Sequence, residues 1–448
     1  MSTPIADFVR RYAASGTARL HMPGHKGKAY LGCEPYDLTE IAGADSLYEA
    51  DGIIAQSERA ATALFGSRRT LYSTEGSSQC IRAMLFLLTA GRQAAGRRSV
   101  VLAARNAHKA FLTAAALLDL DVRWLYPAGE SASVCACEIT PDALSRALDS
   151  LDAPPAAVYL TSPDYLGGCA DIAALSCVCH ARGVPLAVDN AHGAYLRFAS
   201  PSRHPLDLGA DICCDSAHKT LPVLTGGAYL HIAKRAPREW DERARHAMAL
   251  FGSTSPSYLT LASLDLCNDL LSGDYPARIA QTAQRVHALR DMLRGAGWAV
   301  PDGDPLRLTL DAAARGLTGT QLAERLRSGG VECEYADPDY VVLMFTPENA
   351  QEDFARIADA LGSCEHPPRA RAPLPIPKGE AVLSIREALF APRELVPPAR
   401  ALGRVCGAPT VACPPAVPIA VSGERIDEAM IALFERYGIG EVEVVRKS

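Results

Sequence analysis

Short apolar runs alternate with amphipathic stretches between residues 70 and 232. The apolar runs lie at 70–73, 99–103, 156–161, 184–188, 212–214 and 226–232. Helical composition or periodicity marks 57–65, the stretch that opens at 76–78, and 171–182. Strands that alternate with helices in this way build a parallel sheet that is covered on both faces. The pattern therefore predicts an α/β fold with a doubly wound, mostly parallel sheet.

The pattern changes after residue 260. A helical segment runs from 261 to about 297. The elements predicted beyond it are strands at 306–310, 331–336 and 340–345, helices at 318–328, 350–361 and 426–434, and a proline-rich linker at 366–379. We predict a large domain over 1–260, a small α+β domain over 261–365, and a linker with a C-terminal α+β domain over 366–448.

Reactive side chains follow two of the apolar runs. Asp189 follows the run at 184–188, and Lys219 follows the next run together with Ser216 and His218. In open α/β sheets the carboxyl ends of the strands form the ligand crevice. A lysine there can bind pyridoxal phosphate (PLP) covalently, and a carboxylate can keep the pyridine nitrogen protonated. A surface salt bridge explains the same acid and lysine equally well.

A glycine and two serines open a long apolar helix. Gly76, Ser77 and Ser78 follow the run at 70–73. The first turn of a helix offers free N–H groups and the positive end of the helix dipole, which suit a phosphate. A serine that only caps the helix is the commoner meaning of this pattern.

Composition and charge narrow the class of protein. The 448 residues carry a net charge of −6 with a pI near 6.0, which argues against nucleic acid as a partner. No apolar run approaches about 18 residues, and the N-terminus has no signal-peptide core, so we expect no membrane partner and a cytoplasmic location. The 14 cysteines are scattered without the spacing of a zinc site, so we expect buried thiols and no metal.

Several motifs occur in the order found in one enzyme family. They include HMPGHKG at 21–27, RNAHK at 105–109, DNAHGAY at 189–195, SAHKTLP at 216–222, STSPSY at 253–258 and CPPAVPIAVSGE at 413–424. With these motifs the chain resembles, over nearly its whole length, the bacterial ornithine/lysine/arginine decarboxylases, which are PLP enzymes of the aspartate-aminotransferase fold. The resemblance implies PLP as the cofactor and decarboxylation of a basic amino acid to its amine and CO2, within polyamine biosynthesis.

The resemblance assigns roles around the cofactor ring. It makes Lys219 the lysine that carries PLP and Asp189 the partner of the pyridinium nitrogen. It places His108 and Ala191 against the two faces of the ring and counts His192 among the cofactor contacts. The catalytic residues that it implies are Lys219, His218 and His108.

Other residues are implied to hold the phosphate and the substrate. Ser77, Ser78 and Ser216 would hold the phosphate. Thr254 would reach the phosphate of a neighbouring subunit, which requires a homodimer or a higher homo-oligomer. Glu424 would face the distal positive charge of the substrate, although a carboxylate at a helix start explains this residue as well.

Four positions depart from the usual residues of the family. They are Tyr48, Glu75, Asn190 and Ala217. Glu75 would repel a phosphate unless its side chain points away. Asn190 stands where the family usually has an acidic residue. The residues that carry the chemistry are retained, so the departures bear on the substrate contacts.

Two other functions stay open from the sequence. Another PLP enzyme of the same fold, an aminotransferase or a lyase, would hold the α-carboxylate of its substrate with a buried arginine, and Arg307 lies in a suitable region. A catalytically silent homologue would act as a binding partner or regulator. The retention of Lys219, Asp189 and His108 speaks against the silent homologue.

Overall fold

A computed structural model describes residues 1–94, 96, 98–127, 129, 133–362, 367–369, 376–409 and 416–447. The chain divides into two compact units. The first contains Met1–Ala95 and Pro185–Arg278, and the second contains Gly96–Val184 and Ile279–Ser448. The predicted division into three domains at 260 and 365 stays a prediction, and half of the predicted linker lies outside the described residues.

The secondary structure follows the chain in this order. The strands are β1 Arg69–Ser73, β2 Val100–Ala104, β3 Asp121–Leu125, β4 Ala157–Thr161, β5 Leu186–Asp189, β6 Ile212–Asp215, β7 Ala228–Ile232, β8 Arg307–Asp311, β9 Tyr335–Ala336, β10 Tyr340–Met344, β11 Glu380–Ala381, β12 Arg393–Val396, β13 Glu424–Arg425 and β14 Val442–Val445. The α-helices are α1 Pro4–Ala14, α2 Ile53–Phe65, α3 Gly76–Ala94, α4 Lys109–Leu117, α5 Pro141–Asp149, α6 Ile172–His180, α7 Ala217–Thr220, α8 Arg238–Leu250, α9 Tyr258–Ser272, α10 Tyr275–Gly295, α11 Gly319–Ser328, α12 Gln351–Leu361, α13 Ile385–Phe390, α14 Pro398–Ala401 and α15 Glu428–Arg436.

The first unit contains four strands in the order β1-β7-β6-β5. Strands β5 and β6 run parallel, with Asp189 opposite Cys214. Strand β7 runs antiparallel to both of its neighbours. The carboxyl ends of β5 and β6 therefore meet at one edge, where Asp189 and Ser216 lie.

In the second unit, β4, β2 and β3 form a parallel group in that order. The predicted strands at 99–103 and 156–161 are observed as β2 and β4. Strand β3 was not predicted, because its edge position leaves most of its side chains partly exposed and removes the apolar signal. These strands and their intervening helices confirm the predicted α/β class with a mostly parallel sheet.

The rest of the second unit is α+β, as the sequence predicted. Strands β8, β10 and β9 form an antiparallel sheet. Buried side chains such as Leu310, Leu322 and Phe354 form its core with the helices. A second core contains Phe434 of α15 and Val442 of β14.

The predicted helix from 261 to 297 is wrong in one respect, since it is two helices. Helix α9 ends at Ser272 and α10 begins at Tyr275. Gly273 caps α9 with ψ of −132°, a backbone conformation that leaves the helix. Pro276 then occupies the first turn of α10, where a missing N–H costs nothing. Glycine and proline close together mark a helix break. The sequence-based prediction missed this break because the helical composition continues on both sides of it.

Among the described helices, no segment is both long and apolar enough to cross a membrane.

Candidate active site

The strand ends of the first unit carry the predicted acid. Asp189 ends β5 and is 2% exposed. Its Oδ1 accepts a hydrogen bond from the backbone N–H of Ala191 at 3.2 Å. The thiol of Cys214 also points at this oxygen, with Sγ 3.7 Å away. Because burial raises the pKa of Cys214 well above its usual value, this thiol keeps its proton and can donate.

Lys219 lies in the short helix α7, which starts directly after β6. Its Nζ is 3.0 Å from Nε2 of His192, a buried histidine three residues beyond Asp189. The structure thus brings together two predicted cofactor residues from neighbouring strand ends. The sequence placed both residues at the site, but their direct contact was not predicted.

His218 makes two contacts with one backbone carbonyl. Its Nδ1 is 3.0 Å from the carbonyl oxygen of Gly227, and its backbone N–H donates to the same oxygen at 3.1 Å. A carbonyl accepts only, so Nδ1 carries the proton that forms this bond. The remaining ring nitrogen of His218 is Nε2, and any proton exchange by this side chain uses that atom.

The start of α3 carries the hydroxyl groups expected for phosphate. Ser216 Oγ donates to Ser77 Oγ at 2.8 Å, and Ser78 follows in the same helical turn. Gly76 has φ of +70°, and its N–H donates to the carbonyl of Gly226 at 2.7 Å. A Cβ on Gly226 would lie 2.5 Å from the carbonyl oxygen of Thr74, so only glycine fits there.

Two of the departures from the family are explained by local contacts. The exposed carboxylate of Glu75 accepts a hydrogen bond from the backbone N–H of Ser253, which directs it to the 252–257 loop. Tyr48 accepts a hydrogen bond from Gln79 Nε2 at 2.8 Å, and burial raises the pKa of Tyr48 to about 12. Tyr48 is therefore a neutral hydroxyl that anchors the first helical turns of α3.

The departure at Asn190 is matched by an acid on the neighbouring strand. Asn190 Nδ2 donates to Oδ1 of Asp215 at 2.7 Å, and both residues are fully buried. An acid at 190 would face this carboxylate and repel it. Ala217, another departure, is also fully buried and leaves no room for a larger side chain without repacking.

Thr254 lies on the surface of the first unit. It is exposed in the loop between α8 and α9, next to the exposed Ser253 and Ser255. Ser257 caps α9 by accepting the N–H of Thr260. The loop therefore has a fixed end and an exposed tip, and the predicted role of Thr254 in a neighbouring subunit stays a prediction.

The second unit contains the other predicted site residues. His108 caps α4, because its Nδ1 accepts the backbone N–H of Ala110 at 3.1 Å. Nδ1 is therefore the acceptor in the neutral ring, and Nε2 carries the proton. The hydrogen bond to the first turn of α4 therefore fixes the orientation of the His108 ring without any ligand.

Glu424 is buried beside an arginine. It is 3% exposed, and its Oε2 lies 3.4 Å from Nη2 of Arg105. The same oxygen accepts the N–H of Val421 at 2.8 Å. Burial raises the pKa of Glu424, while the Arg105 charge opposes that shift. Its predicted role in substrate recognition stays a prediction, and Arg105 is a partner that the sequence did not reveal.

Arg307, the candidate of the aminotransferase hypothesis, is already engaged. It is 3% exposed, and its Nη1 donates to the carbonyl of Asp164 at 2.5 Å and to that of Tyr165 at 3.3 Å. Its Nη2 lies 3.8 Å from Oδ2 of the buried Asp304, and within the described residues its Nε and Nη2 make no hydrogen bond. Because Asp304 already balances its charge, Arg307 gives the aminotransferase hypothesis little support.

The polar groups of the first unit fit the three polar features of PLP. The amine of Lys219 suits its aldehyde, and the buried carboxylate of Asp189 suits its pyridinium nitrogen. The Ser77–Ser216 hydroxyl pair at the start of α3 suits its phosphate. The donor set in this unit is therefore of the right chemical kind.

Comparisons with known proteins agree with this chemistry. The family model described as "Orn/Lys/Arg decarboxylase, major domain" matches residues 3–301. An arginine decarboxylase of Bacillus subtilis is 27% identical over 98% of this chain and 94% of its own length. An arginine decarboxylase of Halalkalibacterium halodurans is 27% identical over 96% of this chain and 92% of its own length.

Solved structures share the fold at lower identity. A lysine decarboxylase of Francisella novicida superposes with a TM-score of 0.82 at 17% identity, covering 99% of this chain and 81% of that one. A lysine decarboxylase of Pseudomonas aeruginosa gives a TM-score of 0.80 at 17% identity, over 99% of this chain and 80% of that one. These similarities confirm the predicted fold.

Proposed function

The chain belongs to the Orn/Lys/Arg decarboxylase family, and from that premise we propose that it uses PLP to decarboxylate a basic amino acid, releasing the amine and CO2. The observation that carries the proposal is the 3.0 Å contact between Lys219 Nζ and His192 Nε2 in the unit that also holds Asp189. A lysine held at a strand end by a histidine is positioned for covalent attachment to the cofactor.

Lys219 has two tasks in this proposal. It would hold the cofactor, and its amine would hold or release a proton near the α-carbon of the substrate. His192 orients that amine from 3.0 Å. His218 is a second proton carrier, and it acts through Nε2 because Nδ1 is bound to Gly227.

Asp189 supplies the negative charge of the site. PLP, when bound, withdraws the electron pair that remains when a bond to the substrate α-carbon breaks. That capacity requires a protonated ring nitrogen, which a carboxylate with 2% exposure stabilises strongly. The N–H of Ala191 and the thiol of Cys214 hold Oδ1 and so leave Asp189 with one fixed orientation.

The phosphate would be held at the start of α3. The hydroxyls of Ser77 and Ser216, with Ser78 in the same turn, act together with the N–H groups of that turn. Glu75 does not oppose this role, since its carboxylate is bound to the N–H of Ser253.

The substrate is a basic amino acid, and arginine is the first to test. Two relatives that align over nearly the whole chain are named arginine decarboxylases. We propose Glu424 as the carboxylate for the distal charge of the substrate. In that role Arg105 would keep Glu424 ionised in its buried position, because the Arg105 charge lowers the pKa that burial raises.

Assembly and location complete the proposal. We propose a homodimer in which Thr254 of one subunit reaches the phosphate site of the other, which the exposure of its loop permits. A cytoplasmic enzyme that supplies amines for polyamine biosynthesis is consistent with the absence of a spanning segment among the described helices.

One experiment separates the possible functions. Purified protein is incubated with PLP and an α-keto acid as amino-group acceptor, in separate reactions with arginine, lysine or ornithine, while CO2, amine and newly formed keto acid are measured. Release of CO2 with an equal amount of amine supports the proposal. Keto acid without CO2 supports an aminotransferase. A protein that shows no PLP absorbance supports the silent homologue.

A further inference from the structure

A buried polar cluster lies beside the strand-end residues of the first unit. It consists of Asn190, His204, Asp215 and His231, each with 0% exposure. Asp215 Oδ1 accepts the amide of Asn190 at 2.7 Å. Asp215 Oδ2 lies 3.0 Å from Nε2 of His204 and 3.1 Å from Nε2 of His231. Asn190 directly follows Asp189, and Asp215 directly precedes Ser216.

The positions of the protons follow from the outer contacts. The backbone N–H of Leu206 donates to His204 Nδ1 at 3.4 Å, so the proton of that ring lies on Nε2 and faces Asp215. His231 Nδ1 lies 2.8 Å from the hydroxyl of Thr70, which can donate to it. Burial lowers the pKa of His231, which favours a neutral ring. Both histidines therefore donate through Nε2.

Asp215 is ionised in this environment. Burial alone would raise its pKa, but the two histidines outweigh that effect and lower it. Three N–H donors converge on its two oxygens. A buried carboxylate with three donors is a fixed negative charge.

Two histidines and a carboxylate also form a set that can hold a divalent metal ion. A histidine that binds metal through Nε2 normally donates its Nδ1–H to an acceptor. His204 instead receives the N–H of Leu206 at Nδ1. The contacts thus favour a hydrogen-bonded cluster.

Asp215 determines how Asn190 is oriented. Only Nδ2 of the amide can face an ionised carboxylate, so Oδ1 must point the other way. Oδ1 packs against Gly193, where an added Cβ would lie 2.1 Å from it, and it has no hydrogen-bond partner within the described part of the chain. A buried oxygen without a hydrogen bond costs free energy, so the bond from Asn190 to Asp215 must outweigh that cost. This bond therefore fixes the turn after Asp189.

We propose that Asp215 is a positioning residue for PLP: through Asn190 it holds the turn that carries Asp189, and through its own peptide bond it holds Ser216 against Ser77. The inference rests on the proposed function. Asp215 directly contacts Asn190, His204 and His231. It would act on the cofactor through Asn190 and Ser216.

The contact between Asn190 and Asp215 allows an exchange test. Asp215→Asn removes the charge, and Asn190 can pair with the new Nδ2 only by turning its amide over, which places its own Nδ2 against Gly193. The double variant Asn190→Asp/Asp215→Asn restores every hydrogen bond, because the new amide at 215 can donate to the acid at 190 while its oxygen accepts both imidazole N–H groups. Asp265→Asn is the matched control, since Asp265 is an equally buried acid of the same unit that bonds to Ser57 and to the start of α1.

Each protein is purified without PLP, and three quantities are measured: its thermal unfolding, its metal content, and its PLP dissociation constant with the absorbance spectrum of the bound form. Asp215→Asn should weaken PLP binding by about tenfold or more and shift the spectrum. The double variant should bind within about threefold of the wild type. Asp265→Asn should unfold at a lower temperature with unchanged PLP affinity.

Three results would overturn the inference. They are a folded Asp215→Asn protein with wild-type PLP affinity, a folded double variant that binds as weakly as Asp215→Asn, and one equivalent of metal in the wild type. If Asp215→Asn does not fold, the PLP affinity of the double variant alone tests the inference: binding within about threefold of the wild type supports it, and weaker binding contradicts it. A wild type that binds no PLP would instead refute the proposed function, and this inference with it.

Discussion

Nζ of Lys219 and Nε2 of His192 lie 3.0 Å apart, although 27 residues separate them in the chain. The parallel pairing of β5 with β6 creates this contact, because both residues follow strands that end at the same edge. A histidine at this distance orients the lysine amine and stabilises whichever partner holds the proton.

His192→Ala should therefore weaken PLP binding. The variant loses a hydrogen bond to a group that alternates between charged and neutral forms, and we expect an affinity loss of about tenfold. His287→Ala is the control, because His287 is exposed on α10, with its Nε2 3.5 Å from Oδ2 of Asp291. Spectrophotometric titration with PLP measures both variants. Equal affinities for the two variants would remove His192 from the site.

Glu424→Gln should raise KM for basic amino acids strongly and leave PLP binding intact. The glutamine keeps the bond to the N–H of Val421 but removes the charge that a guanidinium or ammonium needs. Glu380→Gln is the control, since Glu380 is an exposed glutamate on the facing strand β11 and pairs with Arg425.

The pairing of Glu424 with Arg105 means that the same substitution should also lower stability, which can be measured separately. Removing Glu424 leaves a buried guanidinium without its carboxylate, which costs roughly 3–5 kcal/mol of stability in comparable buried pairs. Thermal unfolding of Glu424→Gln should therefore shift downwards, while KM is measured on folded protein at lower temperature. A lower stability with unchanged KM would make the Arg105–Glu424 pair structural only.

Much of the first unit follows from sequence patterns. The runs at 184–188 and 212–214 are bounded by glycine or polar residues, so their strands are predicted correctly, as are the positions of Asp189 and Lys219 at or after the strand ends. The roles of both residues stay predictions. The opening of α3 at Gly76 is also predicted, because a glycine and two serines precede a long apolar stretch.

Contacts between side chains that are far apart in the sequence cannot be predicted from the sequence pattern alone. The bond from Asn190 to Asp215 depends on strand register, and the pair of Arg105 with Glu424 joins residues 319 positions apart. Neither pair lies within one periodic element, so no local pattern reveals it. The sequence consequently shows Asn190 only as a departure from the family and Glu424 only as a substrate contact or a carboxylate at a helix start.

Asp164 should make stability depend on pH in the weakly acidic range. Burial raises the pKa of Asp164 from 3.8 to about 6, although the N–H groups of Gly168 and Leu166 and the charge of Arg307 oppose the shift. Because the folded-state pKa is the higher one, this group's contribution is fully present below about pH 4 and is lost as the pH rises through 6.

Asp164→Asn tests this dependence. The amide oxygen can still accept from Leu166 and Gly168, which both donate to Oδ1 in the wild type. Between pH 4 and 7.5 the wild type should lose about 2–3 kcal/mol of unfolding free energy relative to the variant. Chemical denaturation across this range measures the difference. Parallel profiles for the two proteins would contradict the raised pKa.

Mixed dimers test whether Thr254 acts in the neighbouring subunit. Lys219→Ala and Thr254→Arg subunits should each be inactive and should regain part of the activity when they are mixed, because one site of the hybrid carries neither change. Thr320→Arg, at an exposed threonine of α11, should remain active alone. A Thr254→Arg protein with full activity would exclude a role for Thr254 at any phosphate site.

The central claim is that Lys219 carries PLP. Protein loaded with PLP is reduced with borohydride and digested, and the labelled peptide is identified by mass spectrometry. We expect the label on Lys219 in the wild type and no label on the chain in Lys219→Ala. A label on another lysine of the wild type, or a labelled Lys219→Ala protein, would contradict the account.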